Sequence, residues 1–283
     1  MTAQEIVAKL TELPPVSQSA LKLLSLLGDP QLDNDEVVRT LKYDNALTAR
    51  LLRACNSSLF GFEETVASVD QAVLILGYEK ILQIVLTLAF GEAMGVPVEA
   101  YAFEAEDLWR HSLMTAAAAE MLVQTDTLPQ MDRSAAYTAG LLHDIGKLAI
   151  NQVLEPDQLA SFRHLLADHR LPRVEAEKKV IGADHAEVGA FLLYSWCLPH
   201  NIVEAVANHH QPVLDPFPQL SAATCLANSI AHLASTDLAS AEYTLRMDSQ
   251  LAQSLGLTDE KGERLVAEVH ESLEEVEHFM ALA

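Results

Sequence analysis

The run Leu141-Leu142-His143-Asp144-Ile145-Gly146-Lys147-Leu148 sets an imidazole beside a carboxylate between two apolar pairs. Such flanks place both side chains near a core, where an unpaired charge is costly, and a metal ion is one partner that offsets the cost. Gly146 lets another element or a ligand come close, and Lys147 lies one helical turn after His143 and Asp144. Further histidines stand at helix ends or in helical patterns elsewhere. His111 follows Asp107 on one face, His185 directly follows a capping Asp184, and His209-His210 closes a helix that Pro212 terminates.

His111, His143, Asp144, His185, His209 and His210 are therefore the candidate metal ligands. One histidine on an apolar helix is more often a hydrogen-bonded core residue than a ligand; six that can converge reverse that weighting for the group. Imidazole and carboxylate donors suit Fe, Mn, Zn or Ni better than metals that prefer thiolate. A carboxylate can bridge two ions, and a paired-metal site can activate water against a phosphate ester. Asp144 and Lys147, the latter to hold phosphate charge, are the candidate catalytic residues. The sequence leaves open whether one ion or two would bind. Adjacent helical positions point about 100° apart, so one of His209 and His210 is expected to face the site, His209 by preference.

The elements that must position these groups read as helices throughout. Residues 6–13, 20–27, 37–41, 47–55, 69–76 and 80–90 carry apolar positions at helical spacing, separated by Pro14-Pro15, Gly28-Asp29-Pro30, Asn56-Ser57-Ser58 and Gly77. This first stretch shows no nucleophile with its base, no phosphate loop and no ligand cluster. A linker is expected over 91–101. An Ala-rich helix then runs from Asp107 to about Val123, and another, capped by Asp132 or Ser134, carries His143 and Asp144 as far as Leu148. The stretch 154–179 is polar, with His164 and His169 at the surface. Helices over 202–210 and 220–233 follow, the latter with Asn228 inside it. In the glutamate-rich tail, Leu265, Val269, Leu273, Val276 and Met280 form a stripe that either closes over the second half or meets a partner helix, with His270 and His278 exposed.

Composition agrees. Of 283 residues 50% are hydrophobic but only 6% aromatic, so the core is built from Ala, Leu and Val, which with few Gly and Pro favours an all-α chain. A net charge of −22 argues against gripping a nucleic-acid backbone or an anionic membrane surface, though not against a local pocket for one phosphate. Cys55, Cys197 and Cys225 lack paired spacing and read as buried free thiols. No leader pattern and no apolar run near ~20 residues is visible, so a soluble, cytoplasmic protein is expected.

Several separated motifs, in order, resemble an HDOD domain, a relative of the HD and HD-GYP phosphohydrolases. They are Leu13-Pro14-Pro15-Val16, the run from Asp44 to Arg53, Asn56-Ser57 and the run from Val69 to Gly77, and the similarity spans roughly residues 5–230. The resemblance implies two packed helical subdomains, over 1–95 and 96–235, the second an HD-type bundle, with a helical extension over 236–283. It aligns His111 with the first histidine of the HD pattern and His143-Asp144 with the central pair. The closing aspartate is replaced by Asn228, a weaker, uncharged donor. His185 and His209-His210 resemble the additional HD-GYP ligands, whereas Gln211-Pro212-Val213-Leu214 stands where Gly-Tyr-Pro would follow. HDOD members are generally regarded as lacking the complete hydrolase set. The resemblance thus implies a signal-transduction module that contacts partner proteins and keeps part of a metal site. The alternative is a metal-dependent phosphohydrolase acting on a nucleotide or other small phosphoester.

Overall fold

A computed structural model describes residues 1–10, 16–26, 34–62, 64–124, 131–167, 171–210, 219–235, 251–252, 257–272 and 277. The described residues are helical, with one isolated antiparallel bridge between Val98 and Phe103. The helices are α1 (Ala3–Lys9), α2 (Gln18–Leu26), α3 (Asn34–Lys42), α4 (Asn45–Cys55), α5 (Val69–Leu76), α6 (Tyr78–Met94), α7 (Asp107–Gln124) and α8 (Arg133–Leu142). They continue as α9 (Gly146–Val153), α10 (Pro156–Ala167), α11 (Arg173–Val180), α12 (His185–Ser195), α13 (His200–Asn208), α14 (Gln219–Ala234) and α15 (Asp259–Glu271). The Leu13-Pro14-Pro15 and Gly28-Asp29-Pro30 turns, His169, His278 and the outer part of the tail stripe lie outside the described residues.

Local chemistry sets many of the ends. Asp44, Ser68, Asp132 and Thr258 each accept a backbone N–H from the first turn of the helix they precede. Asp184 does so within a full capping box, Glu187 reaching back to the Asp184 N–H. That box fixes where α12 begins, and therefore where His185 points.

Helix α6 extends to Met94, past the start of the expected linker, and is buried on almost every side from Ile81 to Gly91. A helix apolar all round belongs in a core. It packs on α2, α4 and α5 along one flank and on α7 and α8 along the other, where the Thr87 and Tyr137 hydroxyls pair at 2.7 Å. The buried cluster consequently runs from Ile6 to Val269 without a break between the halves. In the second half α7, α8 and α14 lie side by side, α12 crosses α9 and α13, and α15 covers α14 and α7. The stripe residues Leu265 and Val269 are buried in that contact, so the described part of the tail closes over the second half.

Helix α1 docks on α9 and α12. There the Met1 amine donates to the Ile181 carbonyl, and Gly182, at φ +101°, has no room for a Cβ beside the Met1 backbone. Cys55 and Cys225 are buried free thiols as expected. Cys197 is instead exposed, at φ 61° in the turn after α12, where its side chain leaves the apolar face of the helix. No single described helix is long and apolar enough to cross a membrane.

Candidate metal centre

The His-Asp pair does not lie inside a helix. α8 ends at Leu142, residues 143–145 form a tight turn, and α9 starts at Gly146. Two close backbone crossings hold that turn. A Cβ on Gly140 would sit 2.8 Å from both Ala116 Cα and the Thr115 carbonyl of α7. A Cβ on Gly146 would sit 2.0 Å from the His185 carbonyl and 2.7 Å from the Gly189 N of α12. Glycine at these two positions lets α7 and α12 close on the turn from opposite sides, and each of those helices brings a histidine. The close approach anticipated at Gly146 is therefore made by another element.

All six candidate ligands come together. His143, Asp144, His185 and His209 are buried; His111 and His210 are partly exposed. They form two groups that share Asp144: His111 with His143, and His185 with His209 and His210, the donor atoms of each group lying within 4.8 Å of one another. The Asp144 carboxylate divides between them. Its Oδ2 is 3.4 Å from His143 Nε2 and 3.7 Å from His111 Nε2; its Oδ1 is 3.1 Å from His185 Nε2 and 3.8 Å from His209 Nε2. His111 Nε2 is also 3.2 Å from His143 Nε2 and 3.0 Å from Asn228 Oδ1. His185 Nε2 is 2.9 Å from His210 Nε2. Both paired histidines reach the site, because α13 stops at Asn208 and the pair lies in the following turn, where the helical 100° offset does not apply.

The outer ring nitrogens fix which way the lone pairs face. His143 Nδ1–H donates to the Gly140 carbonyl at 2.7 Å, and His209 Nδ1–H to the Val206 carbonyl at 2.7 Å. His185 Nδ1–H donates to Glu177, 2.7 Å from its Oε2. With Nδ1 committed, each neutral ring turns an Nε2 lone pair inward. Lone pairs 3 Å apart repel unless a cation lies between them. Donors bound to one ion at ~2.0–2.2 Å stand roughly 3–3.5 Å apart, which is the spacing observed. Asp144 Oδ1 and His209 Nε2 are moreover buried without a hydrogen-bond partner, and buried polar atoms of that kind call for an ion or a water. The donor set fits a transition metal held by imidazole and carboxylate.

The electrostatics agree. Burial, followed by neighbouring imidazoles, holds His111, His209 and His210 well below the usual histidine range, which keeps them neutral and able to ligate. For His185 burial pulls downward most strongly, but the Glu177 charge together with hydrogen bonds to Asp144 and Glu177 makes the net direction up. Burial pulls Asp144 upward, yet His143 and Lys147 hold it well below the carboxylate range. Lys147, bound to Asp144 Oδ2, is lowered by burial against the opposing pull of that carboxylate.

Two further participants lie beyond the sequence expectation. Glu177, in the stretch read as polar, is fully buried on α11. It accepts the His185 backbone N–H at 2.8 Å, the His185 ring N–H and the Tyr101 hydroxyl at 2.7 Å. A carboxylate behind a ligating imidazole fixes its tautomer and raises its basicity. Glu177→Gln is accordingly expected to weaken metal binding roughly 10- to 100-fold, read by competition with a chromogenic chelator; unchanged affinity would show that His185 is not a ligand. His232, one turn after Asn228, stacks on His111 with ring centroids 4.4 Å apart, and burial followed by Lys147 pushes it down to about 4. The four-residue step from Asn228 to His232 is a signal the sequence did carry.

The sequence profile of the HDOD domain matches residues 13–212. This chain belongs to the HDOD family. An uncharacterized protein of Treponema pallidum (strain Nichols) is 23% identical over 208 residues, 74% of this chain; the chain spans 39% of that relative's length. A crystal structure of an HDOD domain protein of unknown function from Geobacter sulfurreducens superposes with a TM-score of 0.74 at 26% identity, covering 98% of this chain and 95% of that one. A protein of Shewanella amazonensis SB2B, provisionally named a phosphohydrolase, superposes with a TM-score of 0.66 at 24% identity over 93% and 97% of the two chains, a likeness of fold alone. The expected all-α HD-type architecture and the HDOD resemblance both hold.

Proposed function

We propose that this HDOD protein is a regulatory module that relays a signal through contacts with other proteins and keeps a metal centre in its second half. The observation that carries the reading is Asn228. Its Oδ1 lies 3.0 Å from His111 Nε2, and the HD resemblance aligns it with the closing carboxylate. An amide there leaves Asp144 as the one anionic donor for both groups among the described residues, enough to hold a cation but short of the charge a hydrolytic pair draws on. The first half offers contact surface: Leu74 is 86% exposed on α5, next to the half-exposed Ile75, and Tyr43 is 84% exposed after α3. Isolated apolar side chains are ordinary on a surface, but adjacent ones on one short helix suit a partner.

The ions would be held by His111, His143 and Asp144, with Asn228, and by Asp144, His185, His209 and His210. When bound they supply Lewis acidity and a water of lowered pKa. The chain's own contribution is to orient. The Gly140 and Val206 carbonyls fix two imidazoles, Glu177 holds the proton on His185 Nδ1, and Lys147 neutralises the shared carboxylate.

The complete second donor group and Lys147 favour one other reading, a metal-dependent phosphohydrolase acting on a small phosphoester. Metal content of the protein purified without chelator, with a phosphodiester panel in added Mn or Fe, separates the two. The module reading expects bound metal without turnover, and turnover emerging in Asn228→Asp. Turnover by the unaltered protein that vanishes in Asp144→Ala would replace it with the enzyme.

A further inference from the structure

Two cations converge on one pair of aromatic rings beside this centre. Lys147 Nζ lies 5.8 Å from the Tyr101 ring centroid and 5.6 Å from that of Phe103; Arg173 Cζ lies 5.9 and 5.5 Å from the same two. Asp144 engages Lys147. Arg173, the first residue of α11, is half-buried, and among the described residues no carboxylate pairs with it. Arg53 and Arg133 likewise pair with no carboxylate among the described residues, but both are exposed; Arg173 differs from them in being half-buried beside a cluster of donors. Its charge is felt at Lys147, Tyr101 and His232, which sets it beside the centre. There Phe103, His111, His210 and His232 are likewise partly exposed, around the buried floor of His143, Asp144 and His209.

We infer that Arg173 and Lys147 form an oxyanion seat at the mouth of the metal centre that takes the phosphate monoester group of a small molecule, with Arg173 the residue that selects it. A guanidinium resting on aromatic faces keeps its N–H edge free, and that planar fork matches two phosphate oxygens at once. Lys147 supplies a second, more deeply set charge. The net charge of −22 repels large polyanions, which restricts the seat to small phosphorylated ligands. The seat gives the module a chemical input: the signal would be occupancy by a phosphorylated metabolite. The inference rests on the metal-centre reading only in that an ion would add to the attraction.

Inorganic phosphate and AMP, titrated calorimetrically into protein of measured metal content, test it. Arg173→Ala is expected to weaken binding at least tenfold with metal content and melting temperature unchanged. Arg173→Lys should recover part of the loss, and Arg264→Ala, which removes a surface arginine paired with Glu268, should match the parent. Equal affinity for the two probes means that phosphate alone is read; tighter AMP means that the rest of the ester is read as well. Failure of the parent to bind either probe, or equal binding by parent and Arg173→Ala, overturns the seat. A protein that takes up no metal sinks the metal-centre reading alone, and the same parent-to-variant ratio, measured without metal, still decides the seat.

Discussion

Asp144→Asn is expected to remove transition-metal binding from both donor groups together. The substitution preserves the shape of the side chain and discards the charge. Oδ2 faces His111 and His143, Oδ1 faces His185 and His209, and among the described residues no other carboxylate joins either group. Losing a partner behind a ligand costs about 10- to 100-fold in metal affinity; losing the shared ligand itself should exceed the upper figure for both ions. Elemental analysis after dialysis against a weak chelator provides the readout. His210→Ala and His111→Ala, each confined to one group, should remove at most one equivalent. Retention of a full equivalent by Asp144→Asn would show that the groups are independent and the bridge is illusory. The metal-free variant should also lose stability, on the order of 3 kcal/mol, because Lys147 is left buried without its counter-ion.

Gly146→Ala should be the most damaging single methyl group in the second half. The added Cβ meets the His185 carbonyl at 2.0 Å and the Gly189 N at 2.7 Å, both backbone atoms that no rotamer change can move. Overpacking a core with flexible neighbours costs 1–3 kcal/mol; here α9 and α12 themselves must part, so about 3 kcal/mol or more is expected. The separation also pulls His185 away from Asp144, so metal affinity should fall with stability. Gly262→Ala supplies the control. It lies inside α15 with no atom within 4 Å of its Cβ, and the gain in helix propensity should stabilise by roughly 0.5–1 kcal/mol. Chemical denaturation of the three proteins distinguishes the outcomes; a Gly146→Ala protein within 1 kcal/mol of the parent on the order-of-magnitude scale of core substitutions would mean that the crossing is looser than its geometry.

What the chain discloses in advance is what neighbouring residues decide among themselves. Asp44, Ser68, Asp132, Asp184 and Thr258 are readable as helix starts because the side chain caps its own first turn. His111, His143, Asp144, His185 and the His209-His210 pair stand out because imidazoles in apolar company need a reason. Glu177 escapes because its stretch reads as polar and partly charged, and only tertiary packing turns that one carboxylate inward behind His185. The His-Asp pair reads as helix interior because the helical spacing continues through it; the break at 143–145 follows from the approach of α7 and α12, which sequence periodicity does not encode. Arg173 carries no local mark at all. Its meaning comes from where packing sets it, beside Tyr101 and Phe103 and without an ion pair among the described residues.

The seating of α1 on α9 and α12 has a bearing on how the molecule is made. The Met1 amine meets the Ile181 carbonyl across 180 positions of chain. α1 leaves the ribosome before α12, and the surface that receives it emerges only after α12 has been synthesised. Such long-range closure is slow, because the entropy of the loop is lost before any contact compensates it. α2–α6 can collapse early in the tunnel's wake, while α1 stays undocked until α12 has been made.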